Sequence, residues 1–149
     1  MADPTKVTIP ISAHSLILFS GGGEGRVVRE YEGGKPTGQN RKGPNGADLW
    51  RLNGVSPSLA GKGVEGAVVE TTTPLEKLDP GTIFAAEGAV EMTVTAQAKP
   101  GYGDSGPRGT LGVRIFVETL TPRGNIGALL ADTASEILND TPRRAKAGA

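Results

Sequence analysis

Residues 90–97 read Val-Glu-Met-Thr-Val-Thr-Ala-Gln, the cleanest alternation of apolar and polar side chains in the sequence. Successive side chains of a β-strand point to opposite faces of a sheet, so this stretch predicts a strand with one buried face. Residues 111–121, Leu-Gly-Val-Arg-Ile-Phe-Val-Glu-Thr-Leu-Thr, repeat the pattern. The expected inward set of this second strand is Val113, Ile115 and Val117, and the expected outward set is Arg114, Phe116 and Glu118.

Shorter segments of β character precede this pair of strands. They are rich in β-branched or aromatic residues and are bounded by glycine, proline or Asn-Gly turns, and they occupy residues 7–12, 14–20, 26–31, 49–55 and 63–73. Residues 33–47 form a long glycine-rich loop between two of them, and a loop this long in a compact domain is more often functional or disordered than idle. Five principal strands at this spacing predict an all-β domain over residues 1–124, a small antiparallel five-stranded OB-like barrel.

The period of the apolar residues changes at the C-terminus. They recur there at intervals of three and four, which is typical of an amphipathic helix, and they are Ile126, Leu129, Leu130, Ala134, Ile137 and Leu138. We expect this helix over residues 125–142, with Asn125 as its N-cap and Thr141-Pro142 as its end, followed by a basic tail at 143–149. The apolar side suits either the barrel or a second subunit, and we favour packing on the protein's own barrel.

The composition argues against an enzyme. Among 149 residues there is no cysteine, which excludes a disulfide scaffold, a cysteine-based zinc site and thiol catalysis. His14 is the single histidine, and the glycine run at residues 21–26 lacks the Lys-Ser/Thr pair of a phosphate-binding loop. We therefore expect no catalytic activity, no cofactor and no metal.

Membrane insertion and secretion are also not expected. The longest apolar run, at residues 16–19, is far shorter than the roughly 20 residues that a membrane helix needs. The first ten residues carry one lysine and no apolar core of the secretory type. These features favour a cytoplasmic protein.

Charge is balanced overall but segregated along the chain. Sixteen basic residues match sixteen acidic ones, yet residues 26–62 carry a net charge of +4 and residues 63–91 carry −5. Segregated charge of this kind steers anionic partners, although the solvated faces of any small β domain also produce it.

Cationic and aromatic residues lie together in the expected exposed strands and loops, the combination that single-stranded nucleic acid requires for its phosphates and bases. The candidate phosphate contacts are Arg26, Lys35, Arg41, Lys42, Arg51, Arg108 and Arg114, and the candidate base platforms are Tyr31, Tyr102 and Phe116. Each aromatic residue also has an interpretation without a binding role. Phe116 could be covered by the C-terminal helix, and Tyr31 and Tyr102 could be ordinary surface residues. Trp50 alternates with Leu52, which favours packing in the core.

The run from Tyr31 to Leu52, Tyr-Glu-Gly-Gly-Lys-Pro-Thr-Gly-Gln-Asn-Arg-Lys-Gly-Pro-Asn-Gly-Ala-Asp-Leu-Trp-Arg-Leu, resembles a loop and strand in a group of actinobacterial plasmid and conjugative-element proteins. Residues 78–82, Leu-Asp-Pro-Gly-Thr, and 111–115, Leu-Gly-Val-Arg-Ile, extend the resemblance, which spans roughly residues 14–122. Gly43-Pro44 departs from the usual acidic residue, and residues 64–73 are more acidic than a DNA-binding face would suggest.

That group is similar in layout to the single-stranded DNA-binding proteins of filamentous phage, which are OB-fold dimers. The resemblance therefore implies a homodimer that binds single-stranded DNA or RNA with little sequence preference, in plasmid or phage replication or transfer. The alternative is a structural or assembly β-barrel, such as a virion or tail component, that acts through protein contacts of its helix and loops. Neutral net charge, abundant glycine and few aromatic residues favour that alternative.

Overall fold

The computed structural model describes residues 5–99, 101, 103, 106 and 108–147. In this part of the chain the protein consists of β-strands followed by one C-terminal helix. The strands are β1 (Lys6–Ile11), β2 (Leu16–Ser20), β3 (Gly23–Val27), β4 (Arg29–Glu32), β5 (Lys35–Asn40), β6 (Trp50–Leu52), β7 (Val55–Leu59), β8 (Lys62–Gly63), β9 (Val68–Thr71), β10 (Lys77–Leu78), β11 (Thr82–Lys99) and β12 (Arg108–Asn125). The helix is α1 (Ile126–Ala147). The predicted β-rich fold with a C-terminal helix is confirmed.

Ten of the described strands form one mixed sheet that curls into a half-barrel, in the order β10-β3-β6-β9-β12-β11-β2-β7-β8, with β1 also paired to β11. β9 and β12 run parallel, while the other pairs in this sheet are antiparallel. The prediction of a small five-stranded antiparallel OB-like barrel is therefore wrong. Turn signals mark where strands end, but they do not determine which strands pair, and the two-residue strands β8 and β10 have no sequence signal of their own.

The long loop predicted at residues 33–47 contains the strand β5, which forms a hairpin with β4 just before the loop. β4 and β5 pair only with each other, with Glu32 opposite Lys35 in the register. The connection is Gly33-Gly34, and both glycines have positive φ, 59° and 79°. A tight turn with two positive φ angles matches the twist of a hairpin, and glycine adopts it without a steric penalty.

The two 18-residue strands β11 and β12 form the centre of the sheet. They pair antiparallel along their whole length, with irregularities between Ile83 and Phe84 and between Glu87 and Val90. β1 and β2 pair along the free side of β11, and β9 pairs along the free side of β12. The inward positions predicted for Ile115 and Val117 are confirmed, because both are buried in the core. In residues 90–97 only Val90 is buried, and Ala96 on the same side is exposed, so burial there does not alternate as predicted.

The core lies on the concave inner face of the half-barrel. Its buried side chains come from six strands and are Leu16, Leu18, Leu52, Val69, Leu78, Phe84, Ala86, Val90, Ile115, Val117 and Leu120. Burying each such Val, Leu, Ile or Phe side chain contributes about 1.5–3 kcal/mol. Leu52 is buried as its alternation with Trp50 predicts, and Trp50 itself is half-buried.

α1 begins where the sequence predicts but does not pack as predicted. The Asn125 side-chain oxygen accepts hydrogen bonds from the backbone N–H of Gly127 at 2.8 Å and of Ala128 at 3.4 Å, which confirms Asn125 as the N-cap. The helix continues past Thr141-Pro142 to Ala147; a proline removes one backbone donor and bends a helix without always ending it. The leucines Leu129, Leu130 and Leu138 are 56–69% exposed, so the favoured packing of α1 on its own barrel is wrong.

Candidate nucleic-acid interface

The outer face of the sheet, opposite the core, brings together charged residues from distant parts of the sequence. In the register, Arg26 of β3 lies opposite Arg51 of β6, Arg51 opposite Glu70 of β9, and Glu70 opposite Phe116 of β12. Arg114 lies two residues before Phe116 on the same face. Three predicted cationic residues from separate strands, Arg26, Arg51 and Arg114, therefore share one surface.

Glu70 is the electrostatic centre of this surface. Its side chain is only 3% exposed, and its two carboxylate oxygens accept hydrogen bonds from Arg51 Nη2 at 3.1 Å and from Arg114 Nε at 3.0 Å. The side chains of Arg51 and Arg114 are 42% and 39% exposed, although Arg51 Nε itself is buried and has no hydrogen-bond partner in the described part of the chain. The acidic character of residues 64–73 therefore does not repel an anion at this point, because the trio of side chains carries a net charge of +1.

A concave surface of about 570 Å³, here called the arginine groove, lies next to this trio. Four arginines and one tyrosine line it, and no acidic residue does; the lining residues are Arg26, Val27, Val28, Arg29, Tyr31, Arg41, Arg51 and Asn53. Tyr31 is 64% exposed, so its ring is open to solvent. Arg26 is paired with Glu24, whereas Arg29 and Arg41 form no ion pair within the described part of the chain.

A second concave surface of about 720 Å³, here called the threonine groove, follows β1, β11 and β12 on the same outer face. Its polar lining includes the hydroxyls of Thr8, Thr93 and Thr95 and the cations Lys6, Arg41, Lys42 and Arg114, with Glu70 and Glu91 as its acids. A smaller depression of about 500 Å³ that includes Arg29 and Tyr31 lies between the two grooves. Arg41 lines all three, so the surface is continuous across this one side chain.

Backbone hydrogen bonds at the root of the β4–β5 hairpin hold Arg41 at this junction. The Arg41 N–H donates to the Val28 carbonyl at 2.8 Å, and the Arg41 carbonyl accepts from the Leu49 N–H at 3.0 Å. The Val28 N–H donates to the Leu49 carbonyl at 2.8 Å and closes the set. The position of Arg41 is therefore determined by the sheet, while its side chain remains exposed.

Lys42 differs from its neighbour Arg41 because it has an internal partner. Its ammonium group forms an ion pair with Asp48, whose other carboxylate oxygen accepts a hydrogen bond from Asn40 Nδ2 at 3.2 Å. Hydrogen bonds from Lys42 and Asn40 lower the pKa of Asp48 below the ordinary aspartate value. Part of the Lys42 charge is thus used to hold the loop.

Phe116 lies on the outer face as predicted but is only 8% exposed. It is covered by the loop before β6, not by α1: a β-carbon on Gly43 would lie 3.3 Å from the Phe116 ring and 2.6 Å from the Thr72 methyl. Because glycine lacks that carbon, the loop backbone packs closely over the ring. In this arrangement Phe116 has no open face on which a base can stack.

The predicted contact residues are therefore divided between the two grooves and positions outside them. Arg26, Tyr31, Arg41 and Arg51 meet in the arginine groove, and Arg41, Lys42 and Arg114 meet in the threonine groove. Lys35 follows the Gly33-Gly34 turn at the exposed end of the hairpin and lines neither groove. Tyr102 and the side chain of Arg108 lie outside the described residues.

Three contributors were missed at the level of sequence: Arg29, Lys6 and Glu70. Arg29 lies two residues before Tyr31 on one strand, so the period of two that identified other faces was sufficient to place both on one side. Lys6 and Glu70 had no such local signal, because their neighbours in the grooves come from distant strands.

Within the described residues, no group of three or more His, Cys, Asp or Glu side chains is placed to hold a metal ion. No helix in that part of the chain is both long and apolar enough to cross a membrane. Comparisons with protein-family models, with curated proteins and with solved structures gave no match.

Proposed function

We propose that the protein binds single-stranded nucleic acid along the arginine groove and the adjoining threonine groove. The observation that carries this proposal is that four arginines and the exposed Tyr31 line one groove, which no acidic residue lines. Guanidinium groups bind phosphate through two parallel hydrogen bonds, and an aromatic ring stacks on any base, which gives affinity without sequence preference.

Charge along the whole surface supports the proposal. The two grooves and the depression between them are lined by seven cationic and three acidic residues, a net charge of +4, in a chain whose total net charge is zero. One of those acids, Glu70, is already neutralised by its two arginines. Because Arg41 lines both grooves, we expect a single strand of nucleic acid to run from Tyr31 past Arg41 towards Arg114.

A single strand suits this surface better than a duplex. The open ring of Tyr31 needs a base whose flat face is accessible, and base stacking on an aromatic ring contributes about 1–3 kcal/mol. In a duplex the base faces are stacked on each other, so only the phosphate contacts would remain. The sequence resemblance suggests that such binding would serve plasmid or phage replication or transfer.

The experiment is a fluorescence-anisotropy titration of labelled single-stranded and duplex 30-mers at two salt concentrations. The double variant R29Q/R41Q removes the two groove arginines that have no ion pair within the described residues. We expect it to weaken single-strand binding by about 10- to 100-fold and to reduce the salt slope by about 1.4, since each lost phosphate contact on a single strand removes about 0.7.

The matched control is K62Q/R123Q, which removes the same charge from positions outside both grooves. We expect this control to bind within about twofold of the original protein once salt screens long-range attraction. Equal effects of the two double variants would show that only net charge matters and would overturn the site. Preference for duplex, or no binding at low salt, would overturn the function.

The assembly alternative has one observation in its favour, the exposed leucines of α1. Such a surface is typical of protein contacts. If the protein fails to bind any nucleic acid at low salt, its role as a structural component acting through α1 becomes the better proposal.

A further inference from the structure

Glu70 is the only charged residue among the described ones that is buried. It lies on the outer face and lines the threonine groove, a surface that we expect to attract an anion. A carboxylate at such a place reduces the attraction that the neighbouring cations exert on an anion. A role other than attraction is therefore needed to explain it.

The register of the sheet places Glu70 between two arginines from separate strands. Arg51 of β6 is directly opposite Glu70 of β9, and Arg114 of β12 lies two residues before Phe116, which is opposite Glu70 on the other side. Glu70 Oε2 is 3.1 Å from Arg51 Nη2, and Glu70 Oε1 is 3.0 Å from Arg114 Nε. β6 and β12 flank β9 and are about 10 Å apart, so one carboxylate bridges the two strands.

The two arginines belong to different grooves. Arg51 lines the arginine groove and Arg114 lines the threonine groove, and neither residue lines both. Arg51 Nε is buried without a hydrogen-bond partner among the described residues, so the bond from Arg51 Nη2 to Glu70 is what fixes this guanidinium group. Glu70 thus holds one cation of each groove.

Stability alone does not account for a glutamate at this position. Burial of an ion pair costs about as much in desolvation as the attraction returns, and apolar residues of similar volume often stabilise a protein equally well. Attraction of an anion does not account for it either, because an uncharged residue there would make the surface more positive. What the carboxylate does provide is a fixed place for two cationic side chains.

On the basis of the proposed function, we propose that Glu70 is a positioning residue of the nucleic-acid interface. It holds Arg51 and Arg114 in place for phosphate, so a buried acid strengthens the binding of a polyanion. The reason is entropic: a free arginine side chain loses the freedom of several rotatable bonds when it binds phosphate, whereas an arginine that is already fixed loses less.

The chain offers a matched control in Glu91 of β11. Glu91 lies opposite Phe116 from one side as Glu70 does from the other, and both glutamates line the threonine groove. Glu91 forms no ion pair within the described part of the chain. The variants E70Q and E91Q therefore remove the same charge from the same surface, but only E70Q releases two arginines.

Binding of a labelled single-stranded 30-mer is measured by fluorescence anisotropy at two salt concentrations, at a temperature where circular dichroism shows both variants to be folded. We expect E91Q to bind about two- to fivefold more tightly at low salt, because it loses a repulsive charge. We expect E70Q to bind about 3- to 30-fold more weakly in spite of the same charge change. Its salt slope should fall by up to about 1.4, the value for two lost phosphate contacts.

Tighter binding by E70Q, with an unchanged or steeper salt slope, would show that Glu70 only competes with phosphate for the arginines. That result would overturn the positioning role and leave the proposed function standing. Failure of the original protein to bind the single strand at low salt would instead overturn the proposed function, and the positioning role with it.

Nuclear magnetic resonance of the arginine Nε–H groups tests the positioning in the protein without nucleic acid. We expect the ¹⁵N relaxation of Arg51 and Arg114 to be close to that of the rigid backbone, and that of Arg41, which has no ion pair in the described residues, to show more motion. In E70Q the Arg114 signal should approach the mobility of Arg41. If Arg51 and Arg114 of the original protein are as mobile as Arg41, Glu70 does not position them and the proposal is overturned.

Discussion

The outer and inner faces of β1, β11 and β12 are made by alternate residues of the same strands, yet they have opposite chemistry. The outer face presents Lys6, Thr8, Thr93, Thr95 and Arg114, and the inner face presents Val7, Ile9, Met92, Val94 and Val113. Because successive side chains of a strand point to opposite faces, alternation of polar and apolar residues in the sequence produces both surfaces. One sheet can therefore offer a polar, cationic groove on one side and an apolar surface on the other.

The two faces also differ in how far their side chains are paired or buried within the chain itself. On the outer face, the most deeply buried charge, Glu70, is paired with two arginines, so the charged surface is compatible with a stable monomer. On the inner face, the core is closed near Ile115 and Val117 but left open near Leu111. The buried charge of the outer face is thus paired within the chain, whereas the apolar inner face stays partly exposed near Leu111.

The largest expected effect is a difference in stability between a substitution on the inner face and one on the outer face. Ile115→Ala on the inner face should lower the free energy of unfolding by about 2–5 kcal/mol. Ile115 is only 2% exposed, so shortening its side chain leaves a cavity in the core. Thr93→Ala on the outer face loses one exposed hydroxyl contact, to Thr8 at 3.1 Å, and should cost about 1 kcal/mol or less. Urea denaturation measures both, and similar costs would contradict the assignment of the faces.

A smaller effect is expected within the outer face, between two of its glutamates. Glu70→Gln removes the buried partner of Arg51 and Arg114 and should lower the free energy of unfolding by about 1–3 kcal/mol, less than for a fully buried pair because both arginines are partly exposed. Glu91→Gln removes a partly exposed groove carboxylate with no ion pair in the described residues and should change stability by about 0.5 kcal/mol or less. If both variants melt alike in urea, Glu70 is not the centre of the outer face.

The smallest effect concerns the loop over Phe116 and its dependence on pH. The pKa of Asp48 is lowered by hydrogen bonds from Lys42 and Asn40. A carboxyl group with a lowered pKa stabilises the folded protein above the unfolded-state pKa, and that contribution is lost as the pH falls through the lowered value. The stability difference between the original protein and Asp48→Asn should thus be constant near neutral pH and vanish in acid.

Denaturation at a series of pH values checks this expectation, with Asp79→Asn as a control that removes an exposed carboxylate outside the loop. A difference that grows as the pH falls would have the wrong sign and would remove the ion pair from the account of the loop.

Much of the local structure was predictable from the sequence because it depends on near neighbours. The strands at residues 90–97 and 111–121 follow from their alternation, and the start of α1 follows from Asn125 and the spacing of the leucines. Arg26, Arg41, Arg51 and Tyr31 were all among the predicted nucleic-acid contacts, and they line one groove of the structure. The strand β5, which lies inside the predicted glycine-rich loop, was missed because it is made of polar residues without alternation.

The parts that failed depend on pairing between distant segments. No local signal tells that β9 runs parallel to β12, that Glu70 lies between two arginines, or that a loop covers Phe116. The position of α1 also followed from a tertiary detail, the hydrogen bonds that fix Asn125 and Ile126 to the turn before β11. A sequence pattern contains none of these distances.

By itself, the sequence determined that this protein is built of amphipathic strands with a cationic, glycine-rich middle and an amphipathic C-terminal helix, because propensity and periodicity act over a few residues. Only the tertiary structure decided that the strands form a curled half-barrel instead of a closed five-stranded barrel, and that four arginines line one groove. The reason is physical: which strands pair depends on the burial of whole faces and on contacts between residues far apart in the chain, and these exist only once the sheet has formed.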